Sequence, residues 1–263
     1  MAYKEHKDFK RKPIRRDVTP EVAEGTVIGR NAVRELLRSG RDVDKIFVQR
    51  GEREGSITML VAEALERKIP VVEAEKPKLD AMAGGGNHQG IVAMAAQKAY
   101  ATVDEILAIA EARGEKPFVL ILDGVEDPHN LGAIIRTAEA AGADGLIIPK
   151  RRSASLNATV FKTSAGAAAW LKVARVANLV DTIKRLKEKG VWVYGMEADG
   201  TPYDKADLSG AVALVIGSEG FGLGRLVREN CDMILSLPMF GKVNSLNASV
   251  SAGILMYEVV KHR

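Results

Sequence analysis

The 263-residue chain has a single cysteine, Cys231, only four histidines, and no apolar run near the roughly 20 residues that a bilayer-spanning helix needs. One cysteine cannot close a disulfide within the chain, and no Cys/His cluster has zinc-ligand spacing. The first residues are polar and charged, so no secretory apolar segment opens the chain. These absences argue against a secreted, disulfide-framed or membrane-embedded protein and favour the reducing cytoplasm. Net charge is also scarce, at +4, until it is located. Residues Met1 to Arg16 hold seven cations against Glu5 and Asp8, a surplus of +5 that leaves −1 for everything else. Such an arm, with little to bury, is expected to be disordered and to attract polyphosphate by counterion release.

What is present is a globular composition, 46% hydrophobic and 27% charged, long enough for two domains of ordinary size. After the basic tail (residues 1–24), helical and strand patterns alternate from Val27 to Ala96: "GRNAVRELLRSG", "DKIFVQR", "SITMLVAEALERK", "IPVVEA", "PKLDAMA" and "GIVAMAA". This predicts a small α/β unit over 25–98. "YATVDEILAIAEARGEKP" reads as one amphipathic helix ended by Gly and Pro, a linker over 99–117. From 118 to 263 the strands "FVLILDG", "GLIIP", "KVARV", "VWVYGM", "AVALVIG" and "DMILSLP" are apolar throughout and mostly separated by helices. That pattern predicts a mostly parallel sheet covered on both faces, whose ligands bind beyond the strand carboxyl ends.

Three loops at such ends carry the unusual residues. In "LDGVEDPHNLGAIIRTAEAAGAD", Asn130 is a candidate N-cap, Gly142 a candidate C-terminal stop, and Arg136 lies off the apolar stripe, where a planar cation could grip a phosphate. "LVIGSEGFGLGRLVREN" crowds Gly217, Gly220, Gly222 and Gly224 around Glu219, which implies backbone close to a ligand. Its spacing is not the G-x-G-x-x-G of a dinucleotide fold, and the nearby Gly241-Lys242 lacks the Ser or Thr of a P-loop. In "LPMFGKVNSLNASVSAGI", Asn244 or Ser245 can cap the last helix, which leaves Asn247 without an assigned task; Ala248, Ser249, Ala252 and Gly253 allow another element to approach.

In order and spacing these three loops resemble the three motifs of the SpoU (TrmH-type) RNA ribose methyltransferases of the SPOUT superfamily. "IGRNAVRELL" and "HQGIVAM" are similar to the opening and closing segments of the L30e-like RNA-binding domain in the RlmB-type branch. The resemblance implies an α/β fold with a small L30e-like domain ahead of a trefoil-knotted, mostly parallel SPOUT domain. It implies S-adenosylmethionine as cofactor, held at Gly217, Leu237 and Leu246, and a site built from Asn130, Arg136, Glu219, Ser245 and Asn247. An arginine stays protonated in proteins, so Arg136 is expected to anchor an RNA phosphate and lower the hydroxyl's pKa, with the proton acceptor left open. The implied reaction is 2′-O-methylation of structured RNA, with guanosine in large-subunit (23S) ribosomal RNA ahead of transfer RNA because of the front domain. A homodimer through the knotted domain is implied as well. From residues alone, a non-catalytic RNA-binding or assembly factor and a nicotinamide-dinucleotide enzyme stay open beside it.

Overall fold

The computed structural model describes residues 22–23, 25–51 and 55–263; apart from residues 22 and 23, the expected basic tail lies outside them. The front unit is β1 (Thr26–Ile28), α1 (Arg30–Arg38), β2 (Val43–Gln49), α2 (Ser56–Glu66), β3 (Val71–Ala74), α3 (Lys76–Ala83) and β4 (Ile91–Ala95). Its sheet runs β1-β4-β2-β3, with β2 and β3 parallel and β4 antiparallel to both its neighbours. Successive strand side chains face opposite sides. Ile46, Val48, Ile91 and Ala93 therefore meet Val33 and Leu37 of α1 and Leu60 of α2 on one face, while Phe47 and Val92 meet Leu79 of α3 on the other. The edge strand β1 is absent from the sequence expectation, because three residues are too few to show an alternation.

The stretch expected as a linker holds α4 (Val103–Arg113), started by a reciprocal cap in which Thr102 accepts the Glu105 N–H and Glu105 accepts the Thr102 N–H. It is no free spacer. Ile106 and Ala110 are fully buried, and Ile106 packs with Ile147 and Ala174 of the second sheet.

That sheet comprises β5 (Phe118–Asp123), α5 (Pro128–Ala140), β6 (Gly145–Pro149), α6 (Ala158–Thr163), β7 (Lys172–Val176), α7 (Leu179–Glu188), β8 (Trp192–Pro202), β9 (Val212–Gly217), α8 (Arg225–Asn230), β10 (Met233–Ser236) and α9 (Ala248–Lys261). The order is β10-β8-β9-β5-β6-β7, with every neighbouring pair parallel. Phe118, Leu120 and Leu122 sit in one core with Ile134 of α5 and Leu255 of α9; Val119 and Ile121 sit in the other with α4 and α7. Burial on both faces explains why the strands read as continuous apolar runs. The chain leaves β5 toward β6 on one side and leaves β9 toward β10 on the other, so the loops after these two adjacent strands diverge. A crevice at the carboxyl edge is the geometric result.

The two sheets are joined by a buried ion pair. Arg175 of β7 donates to Asp44 Oδ1 at 2.8 Å and to the Asp44 carbonyl at 2.6 Å, and the Tyr100 hydroxyl donates to the same carboxylate at 2.7 Å. Both side chains of the pair are less than a tenth exposed. Burial raises the Asp44 pKa despite the opposing Arg175 charge. Among the described residues no helix is long and apolar enough to cross a membrane.

Candidate active site

Between the β5–α5 and β9–α8 loops lies a cleft of 640 Å³ whose walls include Asp123, Asn130, Arg152, Glu219 and Phe221. The local chemistry of three helix and loop starts decides what faces it. At α5 the cap is Asp127, which accepts the His129 N–H at 2.9 Å with Pro128 at the first helical position. This corrects the expectation for Asn130, which lies one turn inside the helix, buried, with its amide free for other partners. At α9 the cap is Asn247, not Asn244 or Ser245: its Oδ1 accepts the Ser249 N–H at 2.9 Å and the Val250 N–H at 3.4 Å.

Because that oxygen is committed to the helix, the Asn247 Nδ2 is turned the other way. It donates to Glu219 Oε1 at 2.6 Å and to Asn130 Oδ1 at 3.0 Å, and Asn130 Nδ2 donates to the same Glu219 oxygen at 2.9 Å. The Ala248 N–H adds a contact at 3.4 Å, so the Glu219 carboxylate sits against the positive end of α9. Reversing either amide would place oxygen against oxygen, so one arrangement satisfies all three side chains. Three of the five residues implied for the reaction thus form one cluster. Ser245 is exposed and its hydroxyl reaches only the Asn244 side chain at 3.5 Å. Arg136 is exposed on α5, has no hydrogen-bond or ion-pair partner among the described residues, and lies six residues, about 9 Å of helix rise, beyond Asn130.

The glycine loop is held by carboxylates that sequence reasoning passed over. Ser218 and Gly222 exchange backbone hydrogen bonds at 3.0 Å, Leu223 N–H donates to Glu197 Oε1 at 2.6 Å, and Gly224 N–H donates to Asp123 Oδ2 at 2.7 Å. The available signal was an acid ending a buried strand, in "LILDG", beside a loop with spare N–H groups. An added Cβ on Gly217 would lie 2.3 Å from the Gly222 carbonyl carbon, so the loop's own backbone already requires glycine at this position. Leu237 is half-buried against the core and Leu246 is 40% exposed; neither these two nor Gly217 lines the cleft, although Gly217 and Leu246 flank the cluster in the chain.

The fold has solved counterparts. An AdoMet-bound rRNA methyltransferase from Sinorhizobium meliloti is 26% identical with a TM-score of 0.55, covering 90% of this chain and 87% of that one. The A. aeolicus TrmH/SpoU tRNA modifying enzyme is 27% identical with a TM-score of 0.53, covering 57% of this chain and 76% of its own. Sheet order and these counterparts place the fold in the α/β, mostly parallel class of the TrmH/SpoU methyltransferases. A family model described as the SpoU rRNA Methylase family matches residues 117–257, and a second, RNA 2'-O ribose methyltransferase substrate binding, matches residues 26–101. YacO of Bacillus subtilis, whose name places it among TrmH family tRNA/rRNA methyltransferases, is 48% identical over 238 residues, 90% of this chain and 95% of its own. The chain belongs to the SpoU rRNA Methylase family.

Proposed function

We propose that this chain methylates a ribose 2′-hydroxyl of structured RNA, taking the methyl group from S-adenosylmethionine, with guanosine of large-subunit ribosomal RNA as substrate. The observation that carries this reading is the Asn130–Glu219–Asn247 cluster at the switch point of the sheet. Two amide donors hold a carboxylate whose remaining oxygen, Oε2, has no partner among the described residues, and a ribose hydroxyl is the donor such an acceptor suits. The bound cofactor supplies an electrophilic methyl on sulfur. Asp123, Glu126, Asp127 and Glu219 in the cleft wall suit that cation; Leu237, Leu246 and the Gly217 backbone, outside the cleft lining, are read as the surface for its adenine on the family resemblance. Loop rigidity set by Asp123 and Glu197 keeps the reacting groups aligned.

Arg136 and Ser245 enter through assembly. We assign a homodimer in which Arg136 serves the partner's cluster, because α5 carries it on the surface beside α9, whose Val250 and Tyr257 are half exposed. The C-terminal segment, running from edge strand β10 back to α5 two strands further in than β8, is read as threaded in the trefoil knot of this family. Residues 25–98 are read as the RNA-binding unit, in keeping with the tRNA-modifying neighbour covering little more than half of this chain.

The test is transfer of labelled methyl from S-adenosylmethionine to unmodified ribosomal RNA, followed by mapping of alkali-resistant ribose. A single blocked guanosine supports the reading; label confined to transfer RNA, or to a base, overturns it. Mixed dimers of an Arg136→Ala subunit with an Asn130→Ala subunit should recover one intact site, about half of the parental dimer's activity, and no recovery would refute the shared site.

A further inference from the structure

A second cleft, 310 Å³, lies where the two sheets meet, and its lining is rich in cations: Arg41, Arg67, Lys150 and Arg175 against Asp42. Arg175 is spent on Asp44, and Arg67 on Glu63 at 2.6 Å. Lys150 Nζ has only the Arg67 carbonyl, at 3.4 Å, and its pKa is lowered by burial and by the Arg175 and Lys68 charges, with Asp42 opposing. The side chains of Arg41, Lys68, Arg151 and Arg152 have no partner among the described residues. Positive charge is therefore concentrated here beyond what the protein itself neutralises.

The loop that begins at Lys150 joins this cleft to the catalytic one. Lys150 lines the first, and Arg152, two residues on, lines the second. Two residues span at most about 7 Å of backbone, so the Lys150 and Arg152 Cα atoms are separated by about one nucleotide step. Arg152 also holds a left-handed backbone, φ 53°, a conformation that non-glycine residues seldom adopt. That conformation turns the chain at the mouth of the catalytic cleft.

We propose that Arg41, Lys150, Arg151 and Arg152 form a phosphate track for RNA, along which one strand enters between the two sheets, crosses the Lys150–Arg152 loop and delivers its target ribose to the Asn130–Glu219–Asn247 cluster. Arg152 holds the phosphate beside the methylated ribose, and Arg41 with Lys150 holds one further along the strand. The track rests on the RNA methyltransferase reading and adds the route of the substrate to it.

The test measures binding of unmodified ribosomal RNA to the full chain across a salt series, with methyl transfer assayed in parallel. Each lost phosphate contact lowers the slope of log affinity against log salt by roughly 0.7–0.9. Arg41→Gln with Lys150→Gln removes one phosphate contact and should flatten the slope by roughly 0.7–0.9 and weaken binding at least tenfold at low salt, with an unchanged melting temperature. Arg152→Gln should cut kcat/KM at least tenfold while adenosylmethionine affinity in calorimetry stays within twofold. Parental slope and affinity in the double variant overturn the track, as does competition by millimolar inorganic phosphate at fixed ionic strength, which would mark a small-anion site. A parent protein that binds RNA on these cations but transfers no methyl group refutes the enzymatic reading and leaves the track supported.

Discussion

Asn247→Asp separates the two tasks of one side chain. Aspartate is as good an N-cap as asparagine, so the bonds from the Ser249 and Val250 N–H groups are kept and α9 should start where it does now. The atom replacing Nδ2, however, becomes an oxygen facing Glu219 Oε1 where a 2.6 Å hydrogen bond now stands. Loss of that bond costs about 1 kcal/mol once the exposure of Glu219 is allowed for. Two carboxylates with charge centres ~4 Å apart repel by about 1–2 kcal/mol at an effective dielectric constant of 40–80. The variant should therefore be about 2–3 kcal/mol less stable than the parent at pH 8 by urea denaturation, and unable to transfer methyl. Asn247→Ser keeps a cap and deletes the amide without adding charge, so it should lose only about 1 kcal/mol. The sign with pH follows from the pair: one carboxyl of the variant is raised in the folded state, so its penalty is complete above that raised pKa and disappears below the unfolded value of about 4. Measured against the parent at each pH, Asn247→Asp should regain stability between pH 7 and pH 4. Equal stability of the Asp and Ser variants at pH 8, or no regain on acidification, would refute the arrangement of donors described for this cluster.

Gly217→Val should destabilise the chain and lose adenosylmethionine together, because the added carbons collide with Gly222 backbone; loss of cofactor in calorimetry with a parental melting temperature would show that the added carbons meet the ligand and not the loop. Asp44→Ala leaves Arg175 charged and unpaired between the sheets and should cost about 3–5 kcal/mol, with protease sensitivity appearing near residues 97–101; a loss under 1 kcal/mol counts against the buried pair. Burial pushes the Cys231 thiol up to about 12 from an ordinary 9.0, so the native protein should resist iodoacetamide at pH 8.5 while the urea-unfolded protein reacts. Because that folded pKa is raised, the associated stability is intact below pH 9 and falls as pH rises toward 12; labelling of the native thiol at the unfolded rate would contradict its burial.

Strands of the second sheet were legible because burial on both faces leaves uninterrupted apolar runs, and α4 because its amphipathic pattern ends at Gly114 and Pro117. Cap choice was less legible. Asn130 is a fair cap by type, yet Asp127 followed by Pro128 is the stronger combination, and only the fold shows that the amide is thereby released toward Glu219. Asn244, Ser245 and Asn247 are each competent to cap α9, so the sequence cannot rank them, whereas the position of the Glu219 carboxylate does. Asp44 and Arg175 are 131 residues apart and carry no local signal for their pairing. The outward placement of Arg136 was legible, because Ile134, Ile135 and Ala138 form the apolar stripe that turns inward, whereas its distance from the Asn130–Glu219–Asn247 cluster was not.

The cap of α9 has a consequence for when the protein becomes competent. Asn247 starts α9 and clasps Glu219 with the same side chain, so the cluster is complete only when α9 has docked on the sheet. A chain whose α9 is undocked lacks the clasp even where its strands have paired. Docking of one helix and assembly of the site are therefore a single event, and a partly folded chain carries no half-built site.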